Sequence, residues 1–175
     1  MKFESTAIEG VHIIDLEPHE DERGGFARTF CRQEFAAAGL ELTAEQASLS
    51  VTAARGTVRG MHFQREPWAE TRLVRCTRGA ILDVALDLRP ESPTYLRHVS
   101  CRLDAANRRS LYIPPWCAHG FQTLGDDSEV SYLMSMPYRP ESADGLRHDD
   151  PALDIVWPLP VTFVSGRDRE WPLVP

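Results

Sequence analysis

The hydrophobic and polar positions of this chain fall mostly into short strand-like runs, and only one stretch favours a helix. In AILDVALDL (80–88), Leu82, Val84 and Leu86 alternate with Asp83, Ala85 and Asp87, a period of two that predicts a strand with one face buried. RLVRC, HVSCRL, RSLYIP and EVSYLM read as further strands of four to six residues, separated by the turn signals RGA, DLRPESP, LDAAN and GDD. The exception is CRQEFAAAGL (31–40), where three consecutive alanines favour a helix and Gly39 is placed to end it. Short strands recurring about every dozen residues predict an all-β antiparallel sandwich or barrel with few short helices, in one domain over residues 1–175. The proline-rich tail (WPLP, WPLVP) is expected to be irregular and wrapped on the surface. The pattern leaves jelly roll, immunoglobulin-like sandwich and closed barrel open.

Composition narrows the partners more than the fold. The chain is 42% hydrophobic and 26% charged, as soluble globular proteins are, and no run approaches the roughly 18 apolar residues of a membrane span. The start, MKFESTAIEG, has no apolar stretch suited to a secretion signal, so a cytoplasmic protein is expected. A net charge of −7 with no basic cluster argues against nucleic acid. Cys31, Cys76, Cys101 and Cys117 lie far apart without a CxxC pair, which reads as four small buried hydrophobes rather than a disulfide framework or a zinc site. Lys2 is the sole lysine, which excludes a Schiff-base or phosphate-loop lysine. Any anion is therefore gripped by arginine, whose planar fork suits phosphate.

Two histidines stand in glycine-flanked settings, His62 in RGMHFQ and His119 in IPPWCAHGF. A strictly alternating strand sends Arg59 and His62 to opposite faces unless Gly60 bends it, and glycine permits that bend. On pattern alone Tyr132, sharing a strand face with Val130 and Met134, reads as a core tyrosine. Asp168 reads as a solvated turn residue and DERGGF (21–26) as an exposed turn.

Taken in order, DERGGFARTF, GTVRGMHFQ, AETRLVRCTRGAILDVALDLRPESPTY, LYIPPWCAHGFQTL, EVSYLMSMPYRPES, DDPALDIVWP and SGRDREWP resemble the dTDP-4-dehydrorhamnose 3,5-epimerase family over about residues 20 to 170. The resemblance implies a cupin-type double-stranded β-helix, that is, a small jelly-roll barrel with the active site inside it. It also implies a homodimer, no cofactor, and inversion at C3, C5 or both of a nucleotide-diphospho-4-keto-6-deoxyhexose. That chemistry needs a base for the C–H beside the ketone, a cation or donor for the enolate oxygen, and an acid on the opposite face.

By resemblance His62 is the base, Asp168 its orienting partner, Tyr132 the acid, and Arg72 stands where members commonly carry the lysine that supports the enolate. Arg23 and Arg59 hold the diphosphate, His119 is a further donor, Tyr138 stacks on the nucleobase, and Phe26 and Arg28 complete the substrate contacts. Arg28 replaces a common glutamate, Ala47 and Leu49 replace amides, and Trp116 replaces a common glycine, where its ring either narrows the pocket or packs beneath it. With amides lost, dTDP is the expected nucleotide, and CDP or GDP remain compatible. A metal-binding cupin usually has His-x-His with a later glutamate and histidine; here Gln64 takes the second place, leaving His62, His119 and Glu70, so no metal is expected. The rival readings are a metal-dependent cupin oxygenase or isomerase, and a non-catalytic sugar-nucleotide binding module.

Overall fold

The computed structural model describes residues 1–174. The strands begin with β1 (Lys2–Ser5), β2 (His12–Asp15), β3 (His19–Asp21), β4 (Gly24–Phe26), β5 (Gln46–Thr52), β6 (Val58–Gln64) and β7 (Arg72–Arg78). They continue with β8 (Ala80–Asp87), β9 (His98–Asp104), β10 (Ser110–Ile113), β11 (Cys117–Thr123), β12 (Ser128–Met134) and β13 (Ala143–Gly145). Two short helices, α1 (Arg32–Ala37) and α2 (Gly166–Glu170), complete the elements. One antiparallel sheet runs β1-β2-β10-β7-β12-β5 and a second runs β13-β6-β11-β8-β9, while β3 and β4 pair only with each other. Chain neighbours such as β7 and β8, or β11 and β12, lie in different sheets, so the chain winds between two facing layers. This is the cupin-type jelly-roll barrel that the resemblance implied.

Three apolar clusters hold it together. Between the sheets lie Val74, Cys76, Ile81, Ala85, Leu103, Leu111, Ile113, Phe121 and Val130. Outside the larger sheet, Phe35 of α1 packs with Leu73 and Tyr112, and meets Phe3 and Phe30 edge-on at 5.2 and 4.9 Å. Outside the smaller sheet, Met61, Val84, Leu86 and Ala118 are covered by Leu153, Ile155, Trp157 and Val174.

That last cluster corrects two expectations. The tail is irregular, yet it supplies a layer of apolar side chains instead of lying loosely on the surface. It covers the Val84 and Leu86 face of β8, the one alternation predicts buried, while the face that alternation would leave open looks into the barrel, so both faces of the strand are buried. Val84 and Leu86 face the tail, while Ile81, Asp83, Ala85 and Asp87 face the barrel interior, both aspartates without solvent exposure. Among the cysteines, Cys76 and Cys117 are buried as expected and Cys31 and Cys101 only partly; all four are free.

The glycine bend at Gly60 is present. His62 pairs with His119, but Arg59 pairs with Phe121, so β6 carries one extra residue against β11. That insertion turns Arg59 and His62 toward the same side of the sheet. Gly60 has φ +135, and a Cβ there would sit 2.5 Å from the Gly120 Cα. Only glycine fits at this close approach of two backbones. The Gly39 stop is also as expected, with φ +75 just past α1. No described helix is long and apolar enough to cross a membrane.

Candidate active site

The barrel interior is apolar at one end and polar at the other. At the polar end a cavity of about 370 Å³ is lined by His62, Gln64, Glu70, Arg72, His119, Tyr132, Met134 and Tyr138, with Gln46, Ser48, Asp144 and Arg167 among the remainder. The two candidate proton-transfer groups enter it from facing walls, because β6 carries His62 in the smaller sheet and β12 carries Tyr132 in the larger.

His62 Nε2 lies 2.7 Å from Asp168 Oδ1. Asp168 is buried, not solvated, because α2 turns it inward: Ser165 caps the helix by accepting from the Asp168 N–H at 3.1 Å, and Oδ2 accepts from the Gly60 N–H at 3.2 Å. Burial pushes the Asp168 carboxyl up, but the His62 and Gly60 hydrogen bonds outweigh it and hold the group below the usual carboxylate range. An ionised Asp168 accepts only, so it selects the Nε2–H form of His62 and leaves the Nδ1 lone pair free to take a proton.

This carboxylate has a testable consequence for stability. Its folded pKa is depressed, so its contribution is complete above about pH 4 and is lost as pH falls through the folded value. The melting-temperature gap between wild type and Asp168→Asn is therefore expected to be widest near neutral pH and to shrink below about pH 4. A gap that stays constant from pH 7 to pH 3 contradicts this assignment.

Tyr132 stands with its ring edge-on to His119, centroids 5.8 Å apart, across the gap between the sheets. Burial, reinforced by the nearby Asp83 charge, pushes its phenol above the ordinary tyrosine value, and the Arg72 and Arg59 charges only partly oppose that. The hydroxyl is therefore protonated at neutral pH and available as a donor. His119 is itself oriented, with Nε2 2.7 Å from Asp83 Oδ1. The other Asp83 oxygen is buried without a partner among the described residues, and burial raises the carboxyl above its usual range. Leaving a buried acceptor unsatisfied costs about 1–3 kcal/mol, so this second His–Asp pair is held against a penalty.

Arg72 is buried in the cavity wall. Its Nε and Nη2 donate to Glu70 Oε1 at 2.9 and 2.6 Å, and its Nη1 donates to the His62 carbonyl at 2.8 Å. Glu70 Oε2 accepts from Gln64 Nε2 at 3.2 Å. Both oxygens of the residue left as a third metal ligand are thus committed to protein donors.

The remaining expected residues spread outward. Tyr138 lines the cavity half-exposed, and its hydroxyl accepts from Arg167 Nη1 at 3.2 Å. Arg59 does not line the cavity; it donates to the Thr52 hydroxyl and the Val51 carbonyl on β5. Arg23, Phe26 and Arg28 are not brought to the cavity of their own chain. Arg23 pairs with Asp21 on the β3–β4 hairpin, Phe26 is 76% exposed, and Arg28 bonds Glu34 at 2.6 Å. Trp116 neither narrows the cavity nor packs beneath it: it is 41% exposed in a turn at φ +66. A glycine common at this place answers to that left-handed conformation, which costs other residues about 1–2 kcal/mol.

Sequence reasoning missed Asp83 and the positioning role open to Glu70. For Asp83 a signal existed, since Ala85 on the same face is a poor choice for a solvated strand surface. Asp144, brought to the cavity by β13, carried no signal of period or motif, and Arg167, brought by α2, lies inside the SGRDREWP segment without having been singled out there.

A family model described as dTDP-4-dehydrorhamnose 3,5-epimerase matches residues 5–175. This chain belongs to that family. A dTDP-4-dehydrorhamnose 3,5-epimerase of Sinorhizobium fredii is 43% identical over 98% of this chain and 89% of its own. A dTDP-4-dehydrorhamnose 3-epimerase of Streptomyces niveus is 40% identical over 97% of this chain and 82% of its own. Among solved structures, the Bacillus anthracis dTDP-4-dehydrorhamnose 3,5-epimerase with TDP and PPi bound is 34% identical, covers 99% of both chains and superposes with a TM-score of 0.96. The epimerase family thus matches this chain over nearly its whole length, loops and tail included.

Proposed function

We propose that this protein epimerises a dTDP-linked 4-keto-6-deoxyhexose, at C3, C5 or both, by moving protons between side chains. The observation that carries this reading is the His62–Asp168 pair facing Tyr132 across one cavity, with Arg72 in its wall. His62 Nδ1 takes the proton from the carbon beside the ketone, and the C–H electron pair moves into an enolate. Arg72 offers N–H donors to the enolate oxygen. Tyr132 gives its phenolic proton to the same carbon from the other side, which inverts the centre, and water then restores both groups. His119, held by Asp83, donates to the sugar, and Arg59 faces the diphosphate with Tyr138 stacked on the base.

The substrate contacts expected of Arg23, Phe26 and Arg28 fit a homodimer in which one protomer's hairpin reaches the partner's cavity. Exposed Phe26, and exposed Leu49 and Val51 on edge strand β5, support an apolar contact between protomers. Sedimentation at twice the 19.7 kDa chain mass is expected, and a monomer at assay concentration removes this part of the reading.

The activity is tested by following dTDP-4-keto-6-deoxyglucose by proton NMR with purified protein and no added cofactor. Epimerised product at C3, with or without C5, is the expected result. Binding of the sugar nucleotide without any conversion refutes the reading in favour of a binding module.

A further inference from the structure

Glu70 has no part in the proton transfers above, yet it is a carboxylate buried in the cavity wall with every oxygen committed. An arginine side chain is long and rotamer-rich, and five N–H groups can point in several ways. Here three of those donors have fixed destinations: Nε and Nη2 meet Glu70 Oε1, and one Nη1 hydrogen meets the carbonyl of His62 itself. Among the described residues, the second hydrogens of Nη1 and Nη2 have no acceptor. They are the edge of Arg72 that remains for a ligand.

Gln64 keeps Glu70 in turn. Its Nε2 donates to Glu70 Oε2, to the Trp68 carbonyl and to the Pro137 carbonyl, while its Oε1 accepts from the Arg139 N–H at 2.7 Å. Only this amide orientation suits all four partners, with two N–H hydrogens shared among three acceptors, since the reverse sets an amide oxygen against a carboxylate and two carbonyls.

We infer that Glu70 is a positioning residue: it pins the guanidinium of Arg72 so that one donor edge faces the enolate oxygen at a fixed distance from His62. The inference rests on the proposed role of Arg72. Glu70 acts on turnover through Arg72 and not through nucleotide binding, because Gln64 holds the Pro137–Arg139 segment next to Tyr138 by bonds that do not involve Glu70. Misplacing a donor by about an ångström costs on the order of 10²-fold in rate, whereas binding of remote substrate parts is spared.

The test is a double-mutant cycle of Glu70→Gln, Arg72→Met and the double variant, with kcat, KM, the Kd for dTDP and melting temperature recorded for each. Glu70→Gln is expected to lose on the order of 10- to 100-fold in kcat with KM and the dTDP Kd within about threefold of wild type. The double variant is expected to be no slower than Arg72→Met, because the carboxylate has nothing left to position. Losses that multiply, a wild-type kcat in Glu70→Gln, or a loss confined to KM each overturn the inference. If Arg72→Met keeps full turnover, the role of Arg72 falls and the inference with it; if Arg72→Met is slow and Glu70→Gln is not, only the inference falls. Should Glu70→Gln fail to fold, Glu70→Asp serves: it keeps the charge and withdraws the oxygens by one methylene. An intermediate kcat at unchanged KM supports pinning, and a wild-type kcat overturns it.

Discussion

Asparagine at position 62 is expected to lower kcat by about 10²–10⁴-fold while leaving the dTDP Kd within a few fold of wild type. The substitution keeps a polar side chain in the cavity wall, but one that stops short of Asp168 and has no lone pair able to take a carbon-bound proton at neutral pH. Nucleotide affinity is spared because Arg59 and Tyr138 come from other positions, one tied to β5 and the other at the cavity mouth beside Arg167. Alanine at the same position is expected to be at least as slow and somewhat less stable, since it removes the polar side chain altogether and leaves the buried Asp168 without its imidazole partner. Steady-state kinetics with isothermal titration of dTDP check both halves. Turnover within threefold of wild type in the asparagine variant removes His62 as the base.

Phenylalanine at position 132 is the second large effect, and it differs in kind. The ring remains to pack against the core and to meet His119 edge-on, so fold and nucleotide binding are retained. What is lost is the phenolic hydroxyl that enters the cavity from the sheet facing His62. Epimerised product is expected to fall by about 10²-fold or more. Proton removal survives, because His62, Asp168 and Arg72 are untouched, and the enolate then recovers its proton from the side it was lost. Wild-type rates of product formation in Tyr132→Phe remove the phenol as the acid.

Much of this site was legible in the sequence because its parts sit on strands or in a glycine-marked bulge. The bend at Gly60 followed from needing Arg59 and His62 on one side, and the register of β6 against β11 contains it. The shared face of Val130, Tyr132 and Met134 followed from period two, and that face looks into the barrel. Asp168 was placed wrongly by pattern alone, because what buries it is a five-residue helix capped by Ser165, too short to leave a periodic trace. Asp83 was hidden for another reason. Alternation tells which residues share a face and not whether the second face is covered, and here the face that carries Asp83 is enclosed by the barrel while the irregular tail covers the other. Arg23, Phe26 and Arg28 were reached only through resemblance, and in a single chain they stand apart from the cavity.

The most direct measurement is solvent deuterium uptake at C3 and C5 of the keto sugar in heavy water, followed by NMR for wild type, His62→Asn and Tyr132→Phe. Two groups on opposite walls predict three distinct outcomes: deuterium with inversion in the wild type, deuterium with retained configuration in Tyr132→Phe, and neither exchange nor inversion in His62→Asn. Exchange persisting at the wild-type rate in His62→Asn contradicts the account, because some other group is then removing the proton.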